Sequence, residues 1–244
     1  MFSIRAEVGA GSVPTLYIMD AIGRSEMGGG GITISDVQSF LDQHRGAPVI
    51  RVSISSTGGD AWTGLAIYEA LMRFPGEVHV FASGIVASAA SIVFLAGSKR
   101  ELAENTQLMI HQASMEVSGG ESELQRAGRT LTQINRSMES IISQRTGQPV
   151  EIVRAWLAEE KWFDSRDAKS LGFATHVSDS VSATASLDLS RFKNLPLALK
   201  QQRDRNFAKA MAPKPKLSPE AMVKKYGPPK TLTDVVAIAH GRKA

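Results

Sequence analysis

Short apolar runs alternate with segments of helical periodicity through the first three-quarters of the chain. Runs bounded by turn residues predict β-strands at 16–19, 49–54, 78–82 and 108–110. Apolar residues three and four positions apart predict helices: one opened by a Ser35–Gln38 capping box, one ending at 74–76, and others at 92–96, 122–145, 151–160 and 165–171. A strand, a glycine-containing turn and a helix follow one another twice between 49 and 96. The pattern therefore predicts an α/β fold with parallel or mixed strands.

The longest predicted helix, 122–145, carries an uninterrupted apolar stripe. Its members are Leu124, Ala127, Leu131, Ile134, Met138 and Ile141. Spacings of three and four place them all on one face of the helix. Such a face packs in a core or against another subunit, so we interpret it as a candidate oligomer contact and not as a cofactor site.

A serine lies among small residues where a predicted strand meets a predicted helix. Segment 84–91 reads Gly-Ile-Val-Ala-Ser-Ala-Ala-Ser. A tight turn there would expose the Ser88 hydroxyl beside the first N–H groups of the helix, which can stabilise an oxyanion. Taken alone, the segment favours a helix start packed in the core, with Ser88 bonded to a backbone carbonyl. His111 directly follows the strand at 108–110, where α/β folds place functional groups, although a structural histidine is common there too.

Composition restricts the chemistry that the chain can perform. The 244 residues include no cysteine, which excludes disulfides, thiolate metal sites and cysteine nucleophiles. No apolar run reaches about 18 residues, and the start of the chain lacks signal-peptide character, so we expect a cytoplasmic protein without membrane contact. No cofactor and no metal ion are expected.

Charge and proline content change near residue 182. Residues 191–244 carry 13 basic and 3 acidic side chains, a net charge of +10, whereas residues 1–190 carry 15 and 21, a net charge of −6. The later sequence has few residues that could bury a core. We therefore predict a folded domain at 1–182 and a basic, proline-rich, largely disordered tail at 183–244. Such a tail could bind polyanions or an acidic protein surface.

Three segments together resemble the ClpP-type serine peptidases in order and spacing. They are 53–59 (Ser-Ile-Ser-Ser-Thr-Gly-Gly), 84–88 (Gly-x-x-Ala-Ser) and 109–112 (Met-Ile-His-Gln). Further similarity lies at 96–100, 105, 146–148 and 167–172, so the resemblance covers residues 14–180. Each motif is weakly specific alone, but the combination is highly specific. Trp162-Phe163 and the basic tail make the chain similar in form to phage and prophage members, often head-maturation proteases.

The resemblance implies a ClpP/crotonase-like α/β fold and a catalytic site. Ser88 matches the family nucleophile and His111 its general base. The backbone N–H groups of Gly59 and Ala89 match the oxyanion hole. Gly58 and Gly59 match the backbone that binds an extended substrate. These roles agree with the chemistry, because a serine hydroxyl needs an adjacent base to become nucleophilic.

The third member of the implied triad departs from the family pattern. The family acid is usually an aspartate, and gapless spacing from 146–147 places Glu160 there. The longer glutamate side chain can still reach an imidazole, while Glu159, and after it Asp164 and Asp167, are the alternatives. A second departure lies at 56–59, where the family commonly has proline before the glycines.

The resemblance implies a serine endopeptidase that cuts protein or peptide substrates inside a homo-oligomeric ring, a heptamer or two stacked heptamers. A phage or prophage enzyme would cut scaffold or capsid protein in the prohead or host cytoplasm, without an ATPase. The first alternative is the proteolytic subunit of a Clp-like protease that works with a separate ATPase, since the sequence contains no phosphate-binding loop motif. A crotonase-like acyl-CoA enzyme would not require the Ser88–His111 pair. An inactive structural ring protein would not need an intact Ser, His and Glu set.

Overall fold

A computed structural model describes residues 13–23, 30–178, 192–197 and 199–200. Within these ranges the chain forms, in order, β1 (Thr15–Ile18), α1 (Ile34–Gln43), β2 (Val49–Ser56), α2 (Ala61–Met72), β3 (Glu77–Ala87), α3 (Ala89–Phe94), β4 (Lys99–Ala103), β5 (Gln107–Ile110), α4 (Glu121–Thr146), α5 (Val150–Glu159), β6 (Lys161–Phe163), α6 (Ser165–Ser170) and β7 (His176–Ser178). The expected α/β fold is confirmed. No helix in the described ranges has the length and apolar character needed to cross a membrane.

One sheet organises these elements. Its main path is β1-β2-β3-β4-β7, and all the neighbours on this path are parallel. β5 pairs in parallel with the last residues of β3, and β6 adds to β5 in antiparallel orientation. Since β2, β3 and β5 run in the same direction, their carboxyl ends meet at one edge of the sheet. The residues that follow these three strands are thereby brought together.

The core lies on both sides of this sheet and encloses α3. All six residues of α3 are buried, from Ala89 to Phe94. Such a helix must be apolar or small on every side. Its burial keeps the turn before it in a fixed position against α2 and the sheet.

A buried arginine joins β4 to the ends of three helices, α3, α4 and α6. Arg100 is 8% exposed, and its guanidinium donates hydrogen bonds to the carbonyls of Phe173 (2.7 Å), Gly97 (3.1 Å), Gly172 (3.1 Å) and Arg145 (3.3 Å). Burial lowers the pKa of this guanidinium. These carbonyl groups compensate its buried charge, and the Gly97 carbonyl also accepts a hydrogen bond from Arg145 Nη2 at 2.6 Å.

The first helix begins earlier than the sequence pattern suggested. Its capping box consists of Thr33 and Asp36, with Asp36 N–H donating to Thr33 Oγ1 at 3.3 Å and Thr33 N–H donating to Asp36 Oδ2 at 2.9 Å. The prediction of a Ser35–Gln38 box was wrong. Thr33 has the extended backbone that an N-cap requires (φ −96°, ψ 161°), whereas Ser35 already lies inside the helix.

The sequence pattern did not predict three short strands, β4, β6 and β7. They have only three to five residues and mix polar with apolar side chains, so their strand conformation depends on pairing with β3, β5 and β4. β3 also continues to Ala87, past the expected end at Ala82, because β5 extends its pairing. The helix expected at 92–96 starts at Ala89.

The long helix α4 is present, but the chain covers only part of its apolar stripe. Ile134 and Met138 are buried, together with Ile142. No residue in 121–133 is buried, and Leu124 is 53% exposed. The N-terminal half of the stripe therefore has no buried contact with the described part of the chain.

Packing continues beyond the predicted domain boundary. That boundary lies between 182 and 183, and residues 179–191 and 201–244 are outside the described residues, so the predicted tail disorder falls mostly there. Phe192 and Leu195, however, are both only 6% exposed and pack with Ile85, Ala87 and Met109. The compact unit that contains the sheet extends to Leu199.

Candidate active site

Ser88 occupies a sharp turn between β3 and α3. Its backbone lies at φ 57° and ψ −127°, a conformation that residues with a side chain rarely adopt. Such residues are retained when the surrounding structure holds them, here β3 on one side and the buried helix α3 on the other. A strained strand-to-helix turn presents a serine hydroxyl to solvent and to the helix N-terminus, which is also the geometry of the nucleophile elbow in α/β-hydrolases.

His111 lies directly beside this hydroxyl. The parallel register of β3 with β5 pairs Ala87 with Met109, and Ser88 N–H donates to the Met109 carbonyl at 2.9 Å. His111 follows one residue after the end of β5 and points its Nε2 at Ser88 Oγ, 2.8 Å away. This distance is within the range of a nucleophile–base hydrogen bond. For Nε2 to accept the hydroxyl proton, the neutral ring must carry its proton on Nδ1.

The glycine loop after β2 lies against the Ser88 turn. Gly58 has φ +84°, and a Cβ there would come within 2.5 Å of the Ala87 carbonyl and 2.8 Å of the Ala89 nitrogen. Ile22 N–H donates to the Gly58 carbonyl at 3.0 Å and fixes the loop from the other side. Within the described structure, the N–H groups of Gly59 and Ala89 do not donate to any protein acceptor. Both remain available for a ligand oxygen next to Ser88.

A cleft of about 270 Å³ opens beside the hydroxyl. Gly59, Ser88, Ala89 and His111 contribute to it, so the predicted nucleophile, base and oxyanion donors share one site. The rest of its wall is mainly apolar, with Asp60 and Ser114 as polar members beside Ala61, Trp62, Leu65, Ile92, Ala113, Met115, Ile134, Met138 and Phe192. An extended chain with an apolar side chain fits this combination of polar donors and apolar wall.

The predicted acid makes other contacts. Glu160 ends α5 in the left-handed region (φ 52°), and its carboxylate accepts hydrogen bonds from Asn194 N–H (2.7 Å) and Lys193 N–H (3.2 Å). A hydrogen bond between Glu160 and His111 is not among those of the described residues. The role of Glu160 as the partner of His111 therefore stays a prediction.

The alternative carboxylates lie on the protein surface. Glu159 is exposed, and its backbone carbonyl accepts a hydrogen bond from the Asn194 side chain. Asp164 caps α6 by accepting from the N–H groups of Arg166 and Asp167 at 2.9 and 2.8 Å. Asp167 is exposed in the first turn of the same helix. The contacts of Asp164 are those of an N-cap.

Sequence reasoning did not identify Phe192 as a wall of this cleft. It belongs to the predicted tail, where basic residues and prolines dominate. The available signal was a pair of apolar residues, Phe192 and Leu195, three positions apart in a polar context. That spacing is too short to predict packing without knowledge of the surface that it meets.

Comparison with known proteins shows the family to which the chain belongs. A family model described as Clp protease matches residues 33–181, and the chain belongs to this family. The ATP-dependent Clp protease proteolytic subunit 1 of Streptomyces coelicolor is 33% identical over 134 residues, which are 54% of this chain and 59% of that protein. The ATP-dependent Clp protease proteolytic subunit 2 of Thermobifida fusca is 31% identical over 130 residues, 52% of this chain and 64% of that protein. The chain thus spans about three-fifths of the length of these curated relatives.

A solved structure supports the fold assignment. A ClpP1 mutant from Listeria monocytogenes superposes with a TM-score of 0.59 at 24% identity, covering 68% of this chain and 91% of that one. At this identity, the likeness concerns the fold alone. The ClpP-like architecture expected from the sequence is confirmed.

Proposed function

We propose that the chain is a serine endopeptidase in which Ser88 is the nucleophile and His111 the general base. The observation that carries the proposal is the 2.8 Å contact between Ser88 Oγ and His111 Nε2. Ser88 Oγ attacks the peptide carbonyl while Nε2 takes the hydroxyl proton, and the imidazolium then protonates the leaving amine. Water, activated by the same imidazole, hydrolyses the acyl-enzyme. The family resemblance assigns the acid that stabilises the imidazolium to Glu160, whose carboxylate accepts hydrogen bonds from Lys193 and Asn194 in the structure.

The oxyanion of the tetrahedral intermediate is proposed to lie between the N–H groups of Gly59 and Ala89. Two observations support this: both donors belong to segments in contact with the Ser88 turn, and both are free of protein acceptors in the described structure. Removing one such donor in comparable enzymes lowers kcat by about 10²–10³-fold. The apolar wall of the cleft supports substrates with an apolar side chain next to the cleaved bond.

The test is covalent labelling by a fluorophosphonate, with intact-mass and peptide mapping. In the unmodified protein we expect the label on Ser88. In Ser88→Ala we expect no labelling at this position, and peptide cleavage slower by several orders of magnitude. Ser91→Ala is the matched control, because the Ser91 hydroxyl is buried and donates to the Met109 (2.6 Å) and Val86 (3.0 Å) carbonyls. Cleavage retained in Ser88→Ala, or equal loss in both variants, would refute the assignment.

A homo-oligomeric ring is proposed as the working form, with α4 as a contact. Its support is the N-terminal half of the apolar stripe, where Leu124 is exposed and Ala127 and Leu131 are half-buried, and membership of the Clp protease family. An apolar helix face that the described part of the chain leaves uncovered is favourable only if another surface covers it. A heptamer or two stacked heptamers is the arrangement that the family resemblance suggests.

We propose prohead maturation as the biological role, with scaffold or capsid protein as substrate. The Trp162-Phe163 pair and the basic tail support it. The second candidate is a proteolytic subunit that depends on a separate ATPase, which is favoured by the names of the relatives from Streptomyces and Thermobifida. Proheads assembled with active or Ser88→Ala protein distinguish the two. Cleavage of scaffold without nucleotide supports maturation, whereas protein cleavage only with an added Clp-type ATPase and ATP supports the second.

A further inference from the structure

A segment after the predicted domain returns to the catalytic edge of the sheet. We call residues 192–195 the strap. Its two apolar side chains, Phe192 and Leu195, are each 6% exposed and pack with Ile85, Ala87 and Met109. These contacts lie at the ends of β3 and β5, the strands that lead into Ser88 and His111. The strap thus covers the strand ends that position the proposed nucleophile and base.

Polar contacts fix the strap to the end of α5. Both carboxylate oxygens of Glu160 accept backbone N–H groups, from Asn194 at 2.7 Å and Lys193 at 3.2 Å. The Asn194 side chain donates to the Glu159 carbonyl at 2.7 Å. Glu160 adopts a left-handed backbone (φ 52°), which is unfavourable for a residue with a side chain and persists only where its surroundings hold it. Hydrogen bonds that an ionised carboxylate accepts from backbone N–H groups are stronger than those between neutral groups.

The strap places an aromatic ring in the substrate cleft. Phe192 lines the cleft with Ser88 and His111. Its ring meets Trp162 edge-on, with centroids 5.4 Å apart and planes at 89°. This contact orients the ring that borders the cleft.

We propose that Phe192 is a specificity-determining residue, forming one wall of a substrate subsite, and that Glu160 is the positioning residue that holds it there. The proposal rests on the endopeptidase function given above. The subsite takes an apolar side chain, and the Phe192 ring limits its size. The contacts assign Glu160 to the strap, whereas the family resemblance assigns it to His111, and the two roles lead to different kinetics.

The test uses the full-length protein and a peptide library randomised at each position around the cleaved bond. We expect Phe192→Ala to raise the ratio of kcat/KM for a large over a small apolar residue at one position by about 10-fold or more. Phe192→Trp should lower the same ratio. A ratio of two substrates cancels any loss of folded enzyme. Leu197→Ala is the control, because Leu197 lies in the same segment and is 71% exposed.

Each outcome decides one part of the proposal. An unchanged ratio at every position in both Phe192 variants, in an enzyme that labels at Ser88, overturns the subsite and leaves the endopeptidase function intact. Absence of labelling and cleavage in the unmodified protein overturns both.

A second pair of variants tests the anchor. Glu160→Gln keeps the size of the side chain but replaces one acceptor oxygen with an NH₂ group that opposes an N–H of the strap. We expect it to shift the selectivity ratio in the same direction as Phe192→Ala, and to speed limited proteolysis after residue 192. Glu159→Gln should do neither, since only its backbone carbonyl contacts the strap. If Glu160→Gln lowers kcat equally for all peptides and leaves the ratio unchanged, the anchor role is wrong and the acid role is supported.

Discussion

Gly58→Ala tests whether the glycine loop forms half of the oxyanion hole. A Cβ at Gly58 would lie 2.5 Å from the Ala87 carbonyl oxygen. Ordinary van der Waals contact begins at 3.4 Å, so the loop must move away by about 0.9 Å. A donor about 2.9 Å from the oxyanion would then lie about 3.8 Å away, beyond hydrogen-bonding distance. This displacement moves the peptide that carries the Gly59 N–H. Because the oxyanion then loses one donor, we expect kcat to fall by about 10²–10³-fold. The left-handed φ adds a stability cost of about 1–2 kcal/mol.

The assay combines peptide hydrolysis, the rate of fluorophosphonate labelling and thermal unfolding. Gly46→Ala is the control, because Gly46 lies in the turn after α1, and a Cβ there meets nothing within 4 Å. That variant should keep full activity and change the free energy of unfolding by less than about 0.5 kcal/mol. If Gly58→Ala is folded at the assay temperature and keeps kcat within about threefold of the unmodified protein, the loop does not supply an oxyanion donor.

Two further predictions concern assembly and stability. Leu124→Asp should reduce the oligomer mass measured by light scattering at micromolar concentration, because a charge would enter the exposed half of the α4 stripe; Gln133→Asp, at another exposed position of α4, should not. An unchanged mass in Leu124→Asp would exclude this face as a contact. Arg100→Met should lower the free energy of unfolding by about 3 kcal/mol in urea titrations, since the carbonyls of Phe173 and Gly172 lose their donor. Arg166→Met, which removes an exposed ion pair with Glu104, should cost less than about 1 kcal/mol, and equal losses would contradict this account.

Elements with a strong local signal were predictable. The strands at Val49–Ser56 and Gln107–Ile110 have apolar runs, and α4 has a stripe longer than three turns. β4, β6 and β7 have no such signal, because pairing with a neighbouring strand stabilises them. The start of α1 at Thr33 also depended on context, since residue 32 forms a bridge to Ile22 that sets the extended backbone before the helix.

The sequence by itself determined the chemistry offered at the site. A serine between a strand and a small-residue helix, a histidine after the next short strand and a pair of glycines after β2 are local patterns, and the fold brings them together. Only the tertiary structure decided where the carboxylate of Glu160 points and that Phe192 lines the cleft beside Ser88. Those features depend on a left-handed turn at the end of α5 and on a strap more than thirty residues later in the chain. Contacts between such distant segments produce no periodic pattern in the sequence, because the conformation of each segment depends on the surface of the other.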